Sequence, residues 1–170
     1  IMPSLVGSEM CIRDRLLPQL LIMACTVGKA DMSRVKVIES LHSKPGFTAA
    51  EGWAYNWWEK DLPIKLPKKK DAGEQFMITH FKRPYLIHTD GTIVTCQKKA
   101  WMDTAGICMW VELVLKTWLD KHCCPEWGSI LTWDNCGPHL TRAVLDTLKE
   151  CKIWGECLPK SMTDWLQVMD

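Results

Sequence analysis

The chain has 170 residues, enough for one well-buried domain or one domain with a small appendage. Hydrophobic content of 47% and charged content of 24% fit an ordinary soluble globular protein. A formal net charge of +1 excludes a global electrostatic attraction to nucleic acid, so any such binding must come from a local patch.

Ten tryptophans against two tyrosines imply a core built from large rings. The nine cysteines are an odd number, only Cys123 and Cys124 are close neighbours, and no C-x-x-C pair occurs. That scatter favours reduced, buried thiols in an intracellular protein. A zinc or redox module built on the cysteines is the alternative, with little support from spacing.

In chain order, residues 1–32 stand apart. Ser4-Leu5-Val6-Gly7-Ser8-Glu9-Met10-Cys11-Ile12-Arg13-Asp14-Arg15 resembles a translated adapter sequence, so this N-terminus is expected to be artefactual. The apolar stretch 16–27 contains Pro18 and Gln19 and is too short to span a bilayer. Arg13 and Arg15 before it give a superficial likeness to a signal peptide, which nothing downstream supports. No membrane association is expected.

Residues 33–61 predict a small helical module. Val35, Ile38 and Leu41 have the spacing of a short helix, which Lys44-Pro45-Gly46 breaks. Thr48 with Glu51 has the capping-box pattern, and a second helix is expected over 49–60 with Trp53, Trp57 and Trp58 on one face. Residues 62–71 then read as a basic linker, where Pro63 and Pro67 argue against regular structure. Its Lys65, Lys68, Lys69 and Lys70 suit phosphate contacts or a weak nuclear-import signal, and equally well a solvated charged linker.

From residue 72 onward the pattern is α/β. Extended pieces are expected at 76–81, 85–88 and 92–96, around Asp90-Gly91. Residues 107–119 are apolar nearly all round and predict a deeply buried helix. A buried strand at 129–133 should end on Asp134, followed by an amphipathic helix over 139–150 with Pro138 in its first turn. Another strand is expected at 152–158 and a helix from 161. Such alternation favours a mostly parallel sheet flanked by helices.

In an open α/β sheet, functional groups gather at the carboxyl ends of the strands. Asp134 is expected there, and the Leu158-Pro159-Lys160 turn with one or two helical turns can return Asp170 to the same edge. Converging carboxylates suit Mg²⁺ or Mn²⁺, hard cations that favour oxygen ligands. Two such ions can activate a water or 3′-hydroxyl and stabilise the leaving oxygen in phosphodiester cleavage. Spacing alone leaves the bland reading, ordinary Asp-containing turns, in front.

The wording around these acids is more specific. Leu131-Thr132-Trp133-Asp134-Asn135-Cys136-Gly137-Pro138-His139 and Leu158-Pro159-Lys160-Ser161-Met162-Thr163-Asp164-Trp165-Leu166-Gln167-Val168-Met169-Asp170 closely resemble the second and third acidic motifs of DDE superfamily endonucleases. The match is to the pogo/Tigger/jerky group of transposases and transposase-derived proteins. The stretch from Ala72-Gly73-Glu74-Gln75-Phe76 to Gln97-Lys98-Lys99-Ala100-Trp101-Met102-Asp103 is similar to that family between its first and second acids. Gly46-Phe47-Thr48-Ala49-Ala50-Glu51-Gly52-Trp53-Ala54-Tyr55-Asn56-Trp57-Trp58 resembles the tail of a centromere-protein-B-type helix-turn-helix. The resemblance covers roughly residues 44–170.

It implies an α/β chain with a partial ribonuclease-H-like fold, a mixed sheet flanked by helices, after a small N-terminal helical segment at 33–61. It further implies DNA as partner, a nuclear protein, Mg²⁺ or Mn²⁺ in active relatives, and is compatible with a homo-oligomer. By motif, Asp134 would be the second metal-binding carboxylate and Asp170 the third. Asn135 and His139 would lie beside the metals, His139 more as a helix cap than as a ligand. Lys65, Lys68, Lys69, Lys70 and Trp57 are the candidate DNA contacts. In the family the first acid lies on a strand well before the segment matching Ala72-Gly73-Glu74. Here that segment follows the helix-turn-helix remnant almost directly, and nothing apolar precedes Asp71 to form the strand. The expectation is therefore a truncated DDE domain over 72–170 in a transposase-derived DNA-binding protein that has lost catalysis. The alternative is an active metal-dependent DNA endonuclease or transposase.

Overall fold

The computed structural model describes residues 20–24, 52–66, 73–97, 101–122 and 128–159. The expected helix around 35–41, the Thr48–Glu51 capping box, Lys68–Lys70 and the helix from 161 lie outside these residues. The described chain is mixed α/β. In order it runs through β1 (Leu20–Ala24), β2 (Trp53–Lys65), β3 (Phe76–His88), β4 (Ile93–Gln97) and α1 (Thr104–Trp110). A π-helical segment (Val111–Lys116), α2 (Thr117–His122), β5 (Ser129–Trp133), a 3₁₀ turn (Gly137–Leu140), α3 (Arg142–Glu150) and β6 (Ile153–Cys157) complete it. The strands make two sheets, one of order β1-β4-β3-β2 and one of β5 beside β6.

The described residues divide into two compact units, one holding 20–24, 52–60, 80–97 and 101–102, the other 61–66, 73–79, 103–122 and 128–159. In the first unit, β1 lies parallel to β4 from Leu20↔Ile93 to Ala24↔Gln97, so a segment set aside on sequence grounds is a strand. Strand β3 pairs antiparallel with β4 through Tyr85↔Thr95, Leu86↔Val94 and Ile87↔Ile93. The sheet is thus mixed rather than mostly parallel. The four residues Thr89, Asp90, Gly91 and Thr92 join β3 to β4: Gly91 N–H donates to His88 O at 2.9 Å, and His88 N–H to Thr92 O at 2.8 Å. Gly91 has φ 90°, a left-handed conformation that glycine adopts without a side-chain clash. Thr92 N–H donates to Asp90 Oδ1 at 2.7 Å, and this bond is the main reason the Asp90 carboxyl sits below its ordinary pKa.

The expected helix over 49–60 is overturned, because Trp53–Lys65 is a strand. Its aromatic residues suit a pleated surface as well as a helix face. Gly52, at φ 92°, takes a backbone conformation that a helix cannot continue through. The chain there is tied instead to the sheet, with Thr89 N–H donating to Gly52 O at 3.0 Å. The tryptophans accordingly alternate: Trp58 and Leu62 are buried while Trp57 is exposed. The linker expected to begin at Leu62 is corrected too, since 62–65 belong to β2. Pro63 is tolerated because β2 lies at one end of the strand order, where a missing N–H interrupts no second ladder.

In the other unit the long apolar stretch is helical as expected, from Thr104 to His122, with a π-helical middle. Asp103 caps its start, accepting from Gly106 N–H at 2.7 Å. Ile107, Cys108, Met109, Trp110, Val111, Val114, Leu115 and Trp118 are all buried. Helix α1 packs on α3, and α3 packs on β6. Ala143, Val144 and Leu148 are the buried face of α3, each large apolar side chain removed from water contributing roughly 1.5–3 kcal/mol. The α3 start differs from expectation. Gly137–Leu140 is a 3₁₀ turn with Pro138 in its first turn, Thr141 is extended, and the α-helix begins at Arg142.

Candidate functional site

Strand β5 sends Leu131 and Trp133 into the core, and Asp134 is the first residue past its end. Strands β5 and β6 are parallel and in register from Ser129↔Ile153 to Trp133↔Cys157, with α3 as the crossover between them. Leu158 N–H donates to Trp133 O at 2.9 Å, which carries the pairing to the carboxyl edge. Asp134 therefore occupies the end of a βαβ unit, the position where the strand peptide groups stop and side chains meet the crevice.

His139 returns to this edge. Its backbone N–H donates to Cys136 O at 3.0 Å, closing the turn that brings the ring back over β5. The imidazole stacks on the Trp133 indole, with centroids 4.5 Å apart and planes 6° from parallel. Its Nδ1 lies 3.0 Å from the Asp134 main-chain oxygen and 2.8 Å from Asp134 Oδ1. Two acceptors at one nitrogen require Nδ1 to carry the proton, so in the neutral ring Nε2 is the acceptor. The directed hydrogen bond goes to the main-chain oxygen. The carboxylate contact is an ion-pair approach that leaves Oδ1 buried without a directed donor. The reading of His139 as a helix cap is therefore corrected: Thr141 holds the N-cap position of α3, and the His139 ring faces Asp134.

Asn135 Oδ1 is also buried without a hydrogen-bond donor. An acceptor oxygen without a donor, next in the chain to a carboxylate that the His139 ring approaches, is a polar feature of this edge, since such groups are normally satisfied. At the edge of the indole, Trp133 Nε1–H donates to Cys157 Sγ at 3.2 Å, tying the ring to the end of β6. Trp133 and Cys157 were missed as site residues from sequence. The only signal was that Trp133 immediately precedes Asp134, and the pairing of Cys157 with it is a matter of strand register.

As a test for a bound divalent ion, the oxygen donors at Asp134 and Asn135 are of the right chemical kind. Among the described residues, however, no group of three His, Cys, Asp or Glu side chains is placed to hold a metal. The described residues by themselves do not make such a centre. Asp170 lies outside them. Cys136 and Cys157 are free thiols.

Two of the candidate DNA contacts, Trp57 and Lys65, are residues of β2. Lys65, at the end of β2, is exposed and bonded to Glu74. Trp57 is 42% exposed, with the Lys82 ammonium 4.8 Å from its ring centroid and Tyr55 edge-on at 5.7 Å. Lys82 also pairs with Glu59 Oε1 at 2.6 Å, and that bond holds the Glu59 carboxyl below its ordinary pKa. Lys68, Lys69 and Lys70 lie outside the described residues. Among the described residues, no helix is long and apolar enough to cross a membrane.

No family model, no curated protein and no solved structure matches this chain.

Proposed function

We propose that this chain is a DNA-binding protein descended from a DDE-type transposase of the pogo/Tigger/jerky group, with a partial ribonuclease-H-like fold and no strand-cleaving activity of its own. One observation carries the reading. Asp134 follows directly on β5, at the carboxyl end of a β5–α3–β6 unit, inside the phrase that resembles the second acidic motif. An acid at that edge is what metal-dependent phosphodiester chemistry uses, and no first acid is recognisable by motif, which leaves that chemistry without its partner. Binding would rest on the basic run Lys65, Lys68, Lys69 and Lys70, in a nuclear protein. Of these, Lys65 must exchange Glu74 for phosphate.

Fluorescence anisotropy with a labelled DNA duplex tests the binding. Affinity should fall steeply with rising salt as counterions are released, and Lys68→Ala with Lys69→Ala and Lys70→Ala should weaken it and flatten the salt slope. Undetectable or salt-independent binding ends the proposal.

Asn135 Oδ1, buried without a donor and next in the chain to the Asp134 carboxylate, favours the second reading, an active Mg²⁺- or Mn²⁺-dependent endonuclease, because oxygens of this kind suit a hard cation. Against it, the described residues supply too few ligands to hold such an ion by themselves.

A further inference from the structure

We draw no further inference here: the strongest candidate, the apolar face of the β5–β6 pair where Ile130 and Trp154 stand in register and exposed, carries nothing because nothing in the structure shows what covers it.

Discussion

Lys152 has φ 58°, a left-handed backbone conformation, directly after the C-cap of α3. An L-residue with a β-carbon is strained there by roughly 1–2 kcal/mol, and glycine is the usual occupant. Replacing it with glycine relieves the strain but frees the unfolded chain, so the two effects partly offset. Lys152→Gly should therefore raise unfolding stability by up to about 1 kcal/mol, and Lys152→Val should lower it, since a β-branched side chain fits that conformation worst. Urea titration of the three proteins decides this, and a glycine variant less stable than the parent contradicts it. Asp90 makes a pH-dependent contribution of definite sign. Its bonds from Thr92 depress the folded-state pKa, so the stabilisation is complete above the ordinary carboxylate pKa and is lost as pH falls through the lowered one. The side chain is mostly exposed, so solvent screening keeps the effect small. Thermal melts between about pH 2 and 5 should show the parent losing more stability in acid than Asp90→Ala. Equal losses would show that the Thr92 bond contributes nothing.

Gly155 shows how tightly α3 is fitted to its sheet. A β-carbon there would come within 2.7 Å of Leu148 Cδ1 and 3.7 Å of Trp133 Cζ2. Leu148 is fully buried, but the clash falls on the tip of its side chain, which can rotate at a cost. Gly155→Ala should thus cost less than Gly155→Val, and the valine should destabilise by about 1–3 kcal/mol through overpacking. Chemical denaturation that finds the valine variant as stable as the parent would mean that α3 does not press on β6 as described. The same element scale shows where pattern reading works. The helical run from Thr104 and strand β5 are recognisable because their apolar content has nowhere to go but a core. Strand β2 is not recognisable in that way. Trp53, Trp57 and Trp58 fit a helical stripe and an alternating strand alike, and the φ of Gly52 together with its bond to Thr89 settles the matter. Thr89 lies across a hairpin ribbon, so no local window contains the deciding contact.

For the molecule as a whole, the proposed loss of cleavage makes a direct prediction. Supercoiled plasmid with Mn²⁺ should remain intact in the presence of the unmutated chain and of Asp134→Ala. Nicking by the first and not by the second would replace the proposal with the nuclease reading, and the oxygens of Asp134 and Asn135 would then be the place to look for the ion. Sequence alone determined the α/β character of the C-terminal half, the strand that ends on Asp134, and the buried helical run ahead of it. Each is a strongly apolar run bounded by turn residues, which can be buried only as one kind of element in a core. The motif wording around Asp134 and Asp170 was likewise a property of the chain, and it is the source of the functional proposal. Tertiary structure decided what no local pattern encodes: that the strands divide into two sheets, that Trp53–Lys65 is extended, and that Lys65 lies against Glu74. It also decided that His139 falls in a 3₁₀ turn ahead of α3, where it stacks on Trp133 and faces Asp134. These outcomes depend on which distant groups satisfy one another's hydrogen bonds and surfaces, and that is set only when the chain closes on itself.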